Sequence, residues 1–175
     1  IYTGSVASNG AITLTESMRG LPAGESWVSV DSDASGRFLV AASNRAGAGN
    51  VYIADTQQPD WQWRLLGEQK LGWSAVSISA DGKTIAAAAS GKARGLWVIT
   101  DGGASWRPMS YLGVAVDAID WSAIELDAAG EMLFAAGRND RLYTLPVTPA
   151  NAAPSLLVPD AIGAVAGEAT DLVFD

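Results

Sequence analysis

Trp73–Trp106 reads W-S-A-V-S-I-S-A-D-G-K-T-I-A-A-A-A-S-G-K-A-R-G-L-W-V-I-T-D-G-G-A-S-W. It holds three short apolar segments, each bounded by turn residues, and it closes on an Asp-Gly-Gly turn followed by Trp106. Alternation over Val76–Ser79 predicts a half-buried strand running into the turn at Gly82. Ala86–Ala89 favours a helix on propensity alone. Four residues between glycine-bearing turns are too few for one, so a second strand is predicted there, its alanines fitting inner strands that converge on an axis.

The rest of the chain copies this stretch. Trp27, Trp73 and Trp121 open the same pattern at spacings of 46 (73 − 27) and 48 (121 − 73). Aligned on the following glycine, the copies read V-S-V-D-S-D-A-S-G36, S-A-V-S-I-S-A-D-G82 and S-A-I-E-L-D-A-A-G130. Second strands follow as R-F-L-V-A-A-S43, K-T-I-A-A-A-A-S90 and E-M-L-F-A-A-G137, and third strands as N-V-Y-I-A-D55, G-L-W-V-I-T100 and R-L-Y-T-L145. Weaker fourth strands are expected at W-Q-W-R-L-L66, R-P-M-S-Y-L112 and S-L-L-V158. Four short strands per repeat, with turns between, are the signature of β-propeller blades.

Thr170–Asp175 (T-D-L-V-F-D) aligns with Ser122–Asp127 as a further first strand, while Ile1–Ser5 and Ala11–Glu16 align with second and third strands. Pairing the last segment with Ile1–Ser5 closes a ring and removes two sheet edges. The expected fold is therefore an all-β, four-bladed propeller of four antiparallel strands per blade, closed by its C-terminal strand. Its blades are residues 1–26 plus 166–175, then 27–72, 73–120 and 121–165 of one domain. A piece of a larger ring, or a ring completed by other copies as an oligomer, is the alternative.

Composition narrows the function. The chain has 175 residues, 49% hydrophobic and 17% charged, which suits a single globular domain. A formal charge of −8, with eleven scattered Lys and Arg, argues against a nucleic-acid partner. The sequence contains no Cys and no His, which removes thiol nucleophiles, disulfides, imidazole bases and the usual zinc sites. No apolar run is long enough to span a membrane. The first residue is Ile1, which a cleaved secretory leader or a shortened chain would each explain; a periplasmic or secreted location is expected.

Ile99–Trp106 (I-T-D-G-G-A-S-W) resembles the Asp-box, S/T-x-D-x-G-x-T/S-W, of BNR-type propellers, a group that includes sialidases, xyloglucanase-like glycosidases and photosystem II assembly factors. The match holds at Asp101, Gly103, Ser105 and Trp106 and departs at Ile99. Tyr52–Trp61 reads as a degenerate copy with the same aromatic-to-Trp spacing. The resemblance implies a structural box. Its Asp accepts backbone N–H bonds, its Gly supplies an unusual turn conformation, and its Trp packs between blades.

Other candidate sites are sparser. Asp31-Ser32-Asp33-Ala34-Ser35-Gly36 looks like the start of a calcium loop, but a full loop needs an acid where Ala42 stands. Asp33 also aligns with Ser79 and Asp127 at one strand-to-turn junction, which makes it a turn residue first; no other cofactor is expected. Trp61 and Trp63, two apart on one strand, would share a face, as a sugar-stacking platform or as filling between blades. Sialidases carry an R-I-P motif that is missing here, and glycosidases need a carboxyl pair at a set separation. The leading expectation is a non-catalytic binding or assembly module that presents loops to a protein or glycan. The second is a glycan-processing hydrolase.

Overall fold

A computed structural model describes residues 1–17, 19–100, 105–110, 115–147 and 155–156. β1 (Tyr2–Val6) and β2 (Ile12–Glu16) form an antiparallel hairpin. β3 (Trp27–Ser32), β4 (Phe38–Ser43), β5 (Val51–Asp55) and β6 (Arg64–Leu65) make the first four-stranded sheet. The second contains β7 (Trp73–Ile78), β8 (Ile85–Ala89), β9 (Gly95–Ile99) and β10 (Arg107–Pro108). β11 (Trp121–Leu126), β12 (Met132–Gly137), β13 (Leu142–Pro146) and β14 (Ser155–Leu156) make the third. Each sheet is an antiparallel meander, and β3, β7 and β11 lie side by side, so the sheets stack as propeller blades around their first strands. The chain is an all-β propeller built of four-stranded antiparallel sheets. Thr170–Asp175, on which the expected closure and blade count rest, lies outside the described residues.

Each blade is pinned by its opening tryptophan. The β3–β4, β7–β8 and β11–β12 ladders all slip by one residue just after Trp27, Trp73 and Trp121, a β-bulge repeated at the same place. The carbonyl preceding each Trp accepts one N–H from the end of the second strand. These bonds run Asn44 to Ser26 (2.8 Å), Ser90 to Gly72 (2.8 Å) and Arg138 to Asp120 (2.7 Å). The indole then meets an aromatic on the third strand edge-to-face. Trp27 and Tyr52 are 5.6 Å apart, Trp73 and Trp97 6.4 Å, and Trp121 and Tyr143 5.4 Å. Such pairs contribute about 0.5–1.5 kcal/mol beyond the area they bury.

The alanines of β8 have a different origin from the one expected. Ala86 and Ala88 pack with Trp121, Ile124 and Leu133 of the third blade, while Ala87 and Ala89 pack with Val40, Val51 and Trp73. β8 is the second strand, one step out from the axis, and both its faces are covered by sheets. Small side chains let those sheets approach closely, and all four alanines are fully buried.

The turn between first and second strands is the same in every blade. Asp33 Oδ1 accepts the Phe38 amide at 2.7 Å, Ser79 Oγ the Thr84 amide at 3.0 Å, and Asp127 Oδ1 the Met132 amide at 3.0 Å. Gly130 closes the last of these turns at φ +71°, where an added Cβ would meet the Thr84 side chain at 2.7 Å. Consecutive turns are joined to one another. The Ala34 amide donates to Ala80 O (3.1 Å), and the Ala80 amide to Ala128 O (3.0 Å).

Trp73 is fully buried between two blades. Trp73→Ala is expected to cost about 3–5 kcal/mol in urea unfolding. The half-buried Trp27 should cost clearly less on the same substitution. Gly130→Ala is expected to destabilise measurably, because both the positive φ and the contact with Thr84 oppose a side chain.

Candidate functional site

An open cleft of about 670 Å³ separates the N-terminal hairpin from the first blade. One wall is β1; the other is formed by Val30–Ser32 of β3 with Leu39 and Val40 of β4, and Thr56, Trp61 and Trp63 lie at its outer side. Trp63 is buried and its Nε1 donates to Ser17 O at 3.0 Å, which ties the hairpin to the blade. Trp61 is half-buried and meets Trp63 edge-to-face at 6.5 Å. The two indoles share a cluster but not a plane, and both precede β6 rather than lying within it. Trp63 is a packing residue, and of the pair Trp61 is the one partly open to solvent.

The sheet register corrects the reading of Tyr52–Trp61 as a copy of the box. Leu65 pairs with Tyr52 as Pro108 pairs with Trp97, so Trp63, not Trp61, is the counterpart of Trp106. Their roles agree. Trp106 is buried against Trp73, with ring centroids 5.6 Å apart, and its Nε1 donates to Leu66 O of the preceding blade at 2.8 Å. The loop before β6 is two residues longer than its counterpart, which shifted the match. Of the other box residues, Ser105 is exposed, and Asp101 and Gly103 lie outside the described residues.

Asp31 and Asp33 point to different partners. Asp33 is buried in its turn, where Oδ2 also accepts the Ser35 hydroxyl at 2.6 Å. Asp31 reaches across to the next blade, and its Oδ2 accepts the Ile78 amide at 2.8 Å and the Ser77 hydroxyl at 3.1 Å. Ser77 Oγ in turn accepts the Leu126 amide of the third blade at 3.0 Å. This ladder along the first strands was not legible as a site, because each bond links residues nearly a full repeat apart. Glu125 stands at the position equivalent to Asp31. Burial pushes its carboxyl above the ordinary range, the Asp31 charge adds to the rise, and Ser77 hydrogen bonding partly offsets it.

The end of the propeller that carries the first-to-second-strand turns is rich in acids. Arg37 holds Asp55 with two bonds, Nε to Oδ1 at 3.0 Å and Nη2 to Oδ2 at 2.9 Å, and its guanidinium lies 4.6 Å over the Phe38 ring. The Arg37 hydrogen bond, helped by Gln58 and the Gln57 amide, holds the Asp55 carboxyl well below the usual carboxylate range. Asp60 is almost wholly exposed and touches Arg19 at 3.4 Å. Asp81, Asp127 and Glu131 extend the same rim across the second and third blades. Among the described residues no three His, Cys, Asp or Glu side chains come together as a metal site, and no helix is long and apolar enough to cross a membrane.

Neither a family model nor a curated protein matches the chain. Solved structures do. A chain in the crystal structure of a nidogen/laminin complex superposes with a TM-score of 0.59 at 14% identity, covering 82% of this chain and 52% of that one. The Myceliophteria thermophila Cps50 (Swd1) β-propeller domain gives a TM-score of 0.52 at 23% identity, covering 74% of this chain and 38% of that one. The chain thus spans about half the length, or less, of these propellers. The likeness is one of fold.

The Ser79 hydroxyl, then the Lys83 amide and ammonium, hold Asp81 down at about 2. The folded state therefore favours the ionised form. Its contribution to stability is complete above the ordinary value of 3.8 and is lost as pH falls towards 2. Carboxyl-detected NMR titration should place Asp81 near that value, and Ser79→Ala should move it up.

Proposed function

We propose that this chain is a non-catalytic propeller module of the Asp-box type that binds a protein through its acidic turn end. The observation that carries this reading is the turn-to-turn bonding. Ala34, Ala80 and Ala128 join three acid-bearing turns into one surface, so little ordering cost remains to be met on association. Asp60, Asp81 and Glu131 are exposed on that surface, and Trp61 offers an aromatic anchor at its edge. A partner segment bearing Lys or Arg complements it. The nidogen/laminin match is a protein–protein complex, which supports an interaction role. A periplasmic or secreted setting belongs to the same reading.

A second reading, a glycan hydrolase, draws on Glu125, an exposed carboxyl that partial burial and the Asp31 charge push up from its ordinary value. Asp31, whose charge acts on it, is a candidate partner, but it is engaged by Ser77 and the Ile78 amide.

A random-peptide display library selected on the full chain tests the first reading. Binders should be enriched in Lys and Arg, weaken with added salt, and lose about tenfold or more in affinity for the Asp60→Lys, Asp81→Lys double variant. Binders indifferent to that variant would sink the proposal. Turnover of a chromogenic glycoside that vanishes in Glu125→Gln would put the hydrolase in its place.

A further inference from the structure

The turn of the N-terminal hairpin carries a chemistry that the other turns lack. Of Asn9, Asn44, Asn50, Asn139 and Asn151, only Asn9 is followed by Gly. Asn9 is exposed, and so is every residue from Gly4 to Glu16. Three hydrogen bonds set the turn. The Gly10 amide donates to Ala7 O at 2.9 Å, the Ala7 amide to Ala11 O at 2.8 Å, and the Ala11 amide to Asn9 Oδ1 at 3.0 Å. The last of these folds the Asn9 side chain back along the backbone, which brings Cγ alongside the Gly10 nitrogen. It also aims an N–H at the oxygen on which negative charge grows when that nitrogen attacks Cγ. Gly10, at φ +80°, has no side chain to bar the approach, and among the described residues nothing lies within 4 Å of where a Cβ would stand.

We infer that Asn9 is a site of self-modification, at which the chain converts its own asparagine into aspartate and isoaspartate with water as the co-reactant. Hydroxide takes the Gly10 amide proton, a bond forms from Gly10 N to Cγ, and the bond from Cγ to Nδ2 breaks. Nδ2 takes up a proton from water and leaves as ammonia, and a five-membered imide remains. Water then opens the imide. Cleaving the new N–Cγ bond gives aspartate, and cleaving the bond to the Asn9 main-chain carbonyl carbon gives isoaspartate. The isoaspartate product sends the backbone through one extra carbon inside a turn that the Ala7–Ala11 bond closes, which disturbs the register of β1 on β2. The attack needs the Gly10 amide to leave Ala7 O, and that opening is easy where neither strand of the hairpin is buried.

Asp81-Gly82-Lys83 is a built-in control with the same turn. Gly82 has φ +74°, its amide donates to Ser79 O at 2.9 Å, and the Lys83 amide donates to Asp81 Oδ1 at 3.0 Å. Its carboxyl stays ionised, since Ser79 and Lys83 hold it down at about 2, and a carboxylate repels a nucleophile. The turn also sits between the buried strands β7 and β8, which resist opening.

The full chain, held at mildly alkaline pH and sampled over days, tests this by peptide mass mapping with fragmentation that separates isoaspartate from aspartate. The peptide holding Asn9 should gain the small mass of an amide exchanged for an acid, and isoaspartate should appear in it. The peptides of Asn44, Asn50 and Asn139 should hold their mass, and Asp81 should give no isoaspartate. Ala11→Pro removes the N–H aimed at Oδ1 and should slow the gain about fivefold or more. Conversion that is absent, yields no isoaspartate, is matched at Asp81 or the other asparagines, or runs as fast in Ala11→Pro with its hairpin intact overturns the inference. Should hydrogen exchange over Tyr2–Val6 show that Ala11→Pro opens the hairpin, Gly10→Ala carries the test. A methyl beside the attacking nitrogen should slow conversion about tenfold or more, and an unchanged rate overturns the inference as well.

Discussion

An indole set at the start of each first strand, edge-on to an aromatic of the third strand, is the contact on which this molecule depends. It ties the innermost strand to the third across the second, which leaves the strand between them little freedom to slide. The bulge beside each Trp turns that restraint into register, since the slip comes at the same residue in all three blades. In the middle blade the same ring also serves the joint between sheets. Trp73 touches Trp97 on one side and Trp106 on another, so folding one blade and docking it on its neighbour draw on one side chain.

Polar chemistry is arranged around that apolar frame. Asp33, Asp127 and Ser79 serve their own turns, Asp31 and Ser77 serve the next blade, and Asp55 serves Arg37. With so many acceptors engaged in architecture, the chemistry left over is that of a shaped and charged surface. This is why recognition, more than bond-breaking, suits the geometry.

Much of the fold was legible because its determinants recur at fixed spacing. The Trp positions, the alternating first strands and the capping Asp or Ser all lie within strands and tight turns, whose length cannot drift without breaking the ladder. Features that depend on loops were less legible. Trp61 matched the box by spacing, yet Trp63 does the work of Trp106, because loop lengths vary freely where strand lengths do not. Ala86–Ala89 was recognised as a strand, but its composition reports sheets pressing on both faces, which only the packing reveals. Asp31 was singled out for a metal loop, and its actual bonds cross to residues 46 and 47 positions away, beyond any local pattern. The cleft has no motif at all, since it arises from where a hairpin sits against a sheet.

Among the described residues the two hydrogen bonds between consecutive turns run one way, the first and second blades each giving an N–H to the carbonyl of the next. A joint of that polarity has a donor side and an acceptor side on every unit, like the coupling of railway carriages. Nothing in it encodes how many units belong in the train. Blade number in such an array is decided by curvature and by the last coupling, so duplication or loss of a repeat can alter the ring without redesigning any single contact.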